Sequence, residues 1–306
     1  MASGVIVISP VLQEYESSIP ETIFHYTSPE GLIGIVTNSE LWFSRFDCMN
    51  DALEGKYIIE VYEKTLDSLK GTYDDAFLDQ IRNIKPDYHK YFKLRNSPVT
   101  KTENTESYYV VPVNTTPFIC CFSLKEDSLP MWNYYSKFGQ YEGYNIGFHV
   151  ERLKNKLKNV EIKKCIYDEA DQIEVLRNFI AGSYENYSVH MHSIEHIRMG
   201  LAAILSTLGM QFKDKVFEHE SEVRMVYWRP DINEQIESEG VPLNYRQKKG
   251  IIIPYVKHKI DLKETIESIK IGPLIKADIA EATVKDMMKE KGIVPLISQS
   301  NVSIRY

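Results

Sequence analysis

Residues 118–123, Phe-Ile-Cys-Cys-Phe-Ser, form a short apolar run that reads as a buried strand. Residues 221–228, Ser-Glu-Val-Arg-Met-Val-Tyr-Trp, alternate as a strand does and belong in the centre of a sheet. The segments around these two strands are of both kinds. Residues 24–26 read as a strand. Ser28-Pro29-Glu30 has helix-start chemistry for a helix to about Asn38, and 41–46 reads as the next strand. Asn50-Asp51 could cap a helix to about Lys70, and a second helix is expected over 74–93. A polar loop with Pro98 and Pro112 is expected over 96–116, then a helix at 131–138. Strands follow at 143–150 and 160–167, and two helices at 169–210. The last part reads as strands at 251–255 and 268–271, a helix at 276–291, and strands near Val294 and Val302. There is no regular βαβα alternation, no GxGxxG and no Walker loop, so the expected fold is α+β, as one domain over 1–306.

Composition narrows the function classes. The chain has 306 residues, 43% hydrophobic and 26% charged, enough for an ordinary core without a metal or disulfide staple. Its net charge of -7 supplies no global field toward nucleic acid. The most basic run, Arg152–Lys164, has the spacing of a solvated helix face. Cysteines 48, 120, 121 and 165 show neither CxxC nor zinc-site spacing, which suits reduced thiols and a cytoplasmic location. Residues 3–9 are short and lack a basic leader, so no signal peptide is expected. No run approaches the ~20 apolar residues of a membrane span, so no membrane partner is expected.

Five places could carry chemistry. His25-Tyr26-Thr27 ends the first strand, where a histidine can bind a ribose hydroxyl or act near neutral pH, or cap the next helix. Asp47, Asn50, Asp51 and Glu54 either cap a helix or border a pocket. Trp132, Tyr134 and Tyr135 cover most of a helical turn, as core or as a stacking surface for a planar ring. In a strand, Glu220, Glu222 and Arg224 point the same way, the arginine offsetting the repulsion of the carboxylates. His192-Ser193-Ile194-Glu195-His196 fits HxxEH, which on a helix could hold a zinc ion for hydrolysis.

Taken in order, FHYTSPEGLIGIV, LWFSRFDCMNDALE, CFSLKEDSLPMWNYYS, GYNIGFHV, ESEVRMV, IKIGP and SIRY resemble the bacterial domain-of-unknown-function family 2971, from about residue 22 to the end. That layout is similar to the ADP-ribosyltransferase fold, a split antiparallel sheet around an NAD cleft. The resemblance implies that His25 holds the NAD ribose and the nicotinamide amide. Trp132, Tyr134 or Tyr135 would stack on nicotinamide, with Tyr26, Thr27 and Arg224 completing the NAD-binding set. Glu222 would bind the nicotinamide ribose, with Glu220 beside it to orient the nucleophile. The long interval between His25 and Glu222 requires helical insertions at about 51–95 and 169–210. So close to Glu222, Arg224 could instead make it a structural ion pair. The implied role is NAD-consuming transfer of ADP-ribose to a protein or nucleic acid acceptor, as a toxin or phage-defence effector. The alternatives are a non-catalytic regulatory module with a partner protein, in the manner of an antitoxin, and the zinc hydrolase.

Overall fold

The computed structural model describes residues 9–49, 55–96, 108–136, 141–230, 241–248 and 250–304, with the backbone alone over 90–96 and 108–113. In chain order the first elements are α1 (Pro10–Ser17), β1 (Thr22–Thr27), α2 (Pro29–Asn38), β2 (Glu40–Arg45), α3 (Tyr57–Ser68) and α4 (Asp75–Arg82). Next come β3 (Lys90–Asn96), β4 (Tyr108–Ser123), α5 (Leu129–Tyr135), β5 (Tyr144–His149), α6 (Val150–Lys156), β6 (Val160–Lys164), α7 (Glu169–Ser188) and α8 (Ile194–Leu208). The chain closes with β7 (Glu222–Pro230), β8 (Leu243–Lys248), β9 (Ile251–Lys259), α9 (Leu262–Thr265), β10 (Ile266–Ile271), α10 (Ala277–Glu290) and β11 (Leu296–Gln299). This is a mixed α+β protein. Its eleven described strands join in one sheet, antiparallel except where β10 meets β11.

The apolar run that reads as a buried strand ends β4, the spine of that sheet. One edge of β4 pairs with β7 from Thr115↔Pro230 to Ser123↔Glu222. The other edge is shared: β1 meets it at Ser123, and β2 at Ile119 and Phe118. Two leaves diverge from there, β1-β5-β10-β11 and β2-β9-β8, so Cys120–Phe122 look into a gap between them. α2 bridges the leaves. Ser28 accepts from the Gly31 amide at 3.2 Å, Pro29 opens the first turn, and Ser39 ends the helix with a left-handed backbone at φ 53. Leu32 and Val36, one turn apart, are buried in the sheet core with Phe43, Phe118 and Val223. Burying a side chain of this size contributes about 1.5–3 kcal/mol.

A second core lies in the helices. Val61 and Leu66 of α3, Phe77 of α4, Val175 of α7 and Leu201 of α8 belong to one cluster. The helical insertions expected at 51–95 and 169–210 therefore pack on each other, although they are far apart in sequence. Several expectations are corrected. The helix over 74–93 stops at Arg82, and 90–96 is strand. Residues 108–116 belong to β4 rather than a loop; Pro112 lies where β4 pairs with β3 alone, an edge position that needs no amide donor. The basic run is not one solvated helix face. It divides into α6 and β6 through Asn159 at φ 58, and Lys163 is buried, with its Nζ 3.2 Å from Glu161. No strand forms at Val302, while α1 and β8 had no signal in the pattern. The cap at Asn50-Asp51 lies outside the described residues. Among the described residues no helix is long and apolar enough to cross a membrane.

Candidate functional site

The gap between the leaves opens into a cavity of about 520 Å³, within the roughly 300–1,000 Å³ usual for small-molecule sites. Strand register explains which side chains meet there. Cys121 lies opposite Arg224, and Ile119 opposite both Val226 and Ser44. Ser44 lies opposite Tyr255, and two residues away on β9 Ile253 lies opposite Arg246. With a side-chain period of two, Glu222, Arg224, Cys121, Ser44, Tyr255 and Arg246 share one face of the sheet. All of these except Tyr255 line the cavity.

At one end lies a buried charge cluster. Glu222 Oε2 accepts from Lys213 Nζ at 2.8 Å and from Arg224 Nη2 at 2.9 Å, and Cys165 Sγ lies 3.7 Å away. Lys213 also donates to Glu220 Oε2. These ion-pair contacts fall on Oε2, and the Cys121 thiol, itself hydrogen-bonded to Glu222, lines the cavity beside the carboxylate. Burial pushes the Glu222 carboxyl up, but Arg224 and Lys213 outweigh it and hold the group ionised, well below the usual carboxylate range. Burial likewise opposes the charge on Lys213, and Glu222 overcomes it. Two acids and two bases make the cluster neutral as a whole.

The expectation that Glu220, Glu222 and Arg224 follow one another along a strand is corrected. Glu220 ends a 3-10 turn, Lys215–Glu220, and Ser221 takes a left-handed backbone at φ 44 before β7 begins. That kink turns both carboxylates onto Lys213. It is held by Ser123, whose hydroxyl donates to the Glu220 carbonyl at 2.7 Å, and by the Leu124 amide on the Ser221 carbonyl at 2.8 Å. The Tyr167 hydroxyl receives the Glu222 amide at 2.9 Å.

β1 supplies the facing wall. His25 Nδ1 donates to the Cys121 carbonyl at 2.9 Å, on the β4 edge that no described strand covers. Burial pushes the ring below its ordinary pKa; the Cys121 carbonyl works against that, and Arg246 adds to it. The ring is therefore neutral at pH 7, with Nε2 as an acceptor. Tyr26 is fixed: its hydroxyl donates to the Lys125 carbonyl at 2.7 Å and accepts from the Ser128 amide at 3.0 Å. Thr27 lies over the start of α2, where a Cβ on Gly31 would come within 1.9 Å of its hydroxyl. Cys120 and Cys121 are held as thiols rather than thiolates. Burial pushes Cys120 up to about 12, and burial with Glu222 pushes Cys121 up as well.

The three aromatics of α5 separate. Tyr135 lines the cavity, and burial, then Glu220 and Glu222, raise its hydroxyl pKa. Trp132 is core: it is 1% exposed, packs edge-on to Tyr26 at 4.8 Å and donates to Asp127 at 2.7 Å. Tyr134 is 58% exposed and lies outside the cavity, 5.4 Å from the His219 ring. The HxxEH reading is corrected too. Ser193 caps α8, accepting from the His196 amide at 3.4 Å, so His192 precedes the helix and the two histidines are not one turn apart on it. Among the described residues no group of three histidine, cysteine or acidic side chains is arranged to hold a metal ion. Of the acidic loop, Asp47 pairs with Arg45 at 2.5 Å, while Asn50, Asp51 and Glu54 lie outside the described residues.

Lys213, Ser44 and Arg246 carry no sequence signal, because a lysine or arginine with polar neighbours looks like any surface charge, and a lone serine like any surface hydroxyl. No curated protein and no solved structure matches the chain. The segment that supplies Tyr135, Lys213 and the Glu220–Arg224 corner, residues 131–225, matches the family described as Protein of unknown function (DUF2971).

Proposed function

We propose that the cavity binds NAD and that the protein cleaves the nicotinamide–ribose bond and transfers ADP-ribose to an acceptor. One observation carries the reading. His25, Tyr135 and Glu222, from β1, α5 and β7, line one cavity where two leaves of an antiparallel sheet part. The ADP-ribosyltransferase resemblance implies a split antiparallel sheet, and the parting of the two leaves at β4 supports that reading. In this account Tyr135 offers its ring to nicotinamide, and neutral His25 accepts a hydroxyl or amide proton at Nε2. As the bond from ribose C1′ to the ring nitrogen breaks, its electron pair leaves with nicotinamide and positive charge develops on the ribose. The Glu222 carboxylate, already ionised, meets that charge, which is larger in the transition state than in bound NAD. The acceptor, oriented by Glu220 in this account, then bonds to C1′ and gives its proton to solvent.

The test is nicotinamide release from NAD in a host-cell extract that supplies the acceptor. Wild type is expected to release nicotinamide. Glu222→Gln, which keeps the shape and removes the charge, is expected to lose at least a hundredfold in rate. Equal release by the two proteins overturns the assignment of Glu222. A second reading has its own support: Lys213 and Arg224 neutralise the carboxylate, which suits a non-catalytic module acting through a partner protein. No release by folded wild type, with biological activity unchanged in Glu222→Gln, selects that reading.

A further inference from the structure

At the far end of the cavity from the charge cluster stands Arg246, on the edge strand β8. Its guanidinium is half-buried, with Nη2 donating to Ser44 Oγ at 2.7 Å. It lies against Trp42 and Tyr255, 5.9 and 5.8 Å from the ring centroids, and these rings stack at 4.4 Å. Among the described residues it has no ion pair, and its Nε is buried without a hydrogen-bond partner. The other guanidinium of the cavity, Arg224, is matched by Glu222. Burial holds Arg246 below its ordinary pKa, as expected for a cation without an anion beside it.

A guanidinium that is partly desolvated and unpaired is costly in the free protein. Its fork of donors fits a phosphate, and the stacked rings and Ser44 fix its plane. Lys248, also on β8, lines the cavity and adds a second cation on that strand. We infer that Arg246, oriented by Ser44 and the Trp42–Tyr255 pair, is the phosphate-binding group of the cavity, and that the ligand carries a diphosphate. The ligand then lies with its phosphates on β8 and its electron-poor end at Glu222. The identity of that electron-poor end rests on the NAD reading; the anion site itself does not.

The experiment is calorimetric titration of ADP into the full chain, comparing wild type with Arg246→Met and Arg246→Lys. Wild type is expected to bind ADP. Arg246→Met should weaken it at least tenfold, and Arg246→Lys severalfold, because it keeps the charge and loses the fork. Arg246→Met should also melt no lower than wild type, since it removes an unpaired charge; a lower melting temperature would mark Arg246 as structural and overturn the inference. No ADP binding by wild type, or equal affinity in wild type and a folded variant, also overturns it. The two readings fail separately. Nicotinamide release with no loss of ADP affinity in the variants sinks only the phosphate assignment. ADP binding through Arg246 without nicotinamide release sinks only the NAD chemistry.

Discussion

At the scale of single residues, the buried charges among the described residues are answered by partners or stand where a ligand could answer them. Glu222 is 4% exposed and ionised because Lys213 and Arg224 outweigh its burial. Its folded pKa lies below the unfolded one. The stability that this contributes is therefore fully present above the ordinary carboxylate range, and is lost progressively as pH falls from that range toward the folded pKa well below it. His258 shows the opposite treatment. Packed against Phe43 and Tyr227, its ring is lowered by burial to a pKa of about 4. Between about 6.5 and 4 the unfolded chain binds a proton that the folded chain refuses, so folding stability falls as pH drops through that window. The accumulated loss is about 3 kcal/mol. Urea denaturation across that pH range is expected to show this slope in wild type and a much flatter one in His258→Phe. An unchanged slope would mean that other groups set it.

Among elements, the corner before β7 matters most to the site. Ser221 holds a left-handed backbone that costs a residue with a side chain about 1–2 kcal/mol. Ser221→Gly is expected to raise the unfolding free energy by up to about 1 kcal/mol, measured in urea. A lower stability would mean that the Ser221 hydroxyl, 3.3 Å from the Glu218 carbonyl, matters more than the strain. This corner also marks what a sequence can disclose. The α+β class, the last residues of β4 (118–123), β7 and α2 were legible, because apolar runs and cap residues are local signals. His25, Tyr135 and Glu222 were legible as candidates, yet nothing local separates Tyr135 from Trp132 and Tyr134. That distinction depends on how α5 sits against β1 and the 3-10 turn. β3 and β8 were missed because their pairing partners decide them. β8 (Leu243–Lys248) carries mostly polar residues and is strand because β9 pairs with it. Lys213 and Arg246 were missed because long-range register, not spacing, brings them to the cavity.

For the whole molecule, two cores with different tasks explain the length of the chain. The sheet core holds the leaves apart at β4, and the helical core, drawn from two distant segments, stands beside it. Lys213 follows α8 and is tied to the loop before α7: its amide donates to the Ile166 carbonyl at 3.1 Å, and Gln172 Nε2 donates to both the Ile166 and Lys213 carbonyls. The segment that follows α8 thus delivers a cation to the carboxylate on β7. The central claim is that this cavity is an NAD site. The most direct test is isothermal titration of NAD into wild type and into Tyr135→Leu, which keeps apolar bulk and removes the stacking face. The account predicts one-site binding by wild type and at least tenfold weaker binding by Tyr135→Leu. No heat from folded wild type, or the same affinity in both proteins, would contradict it.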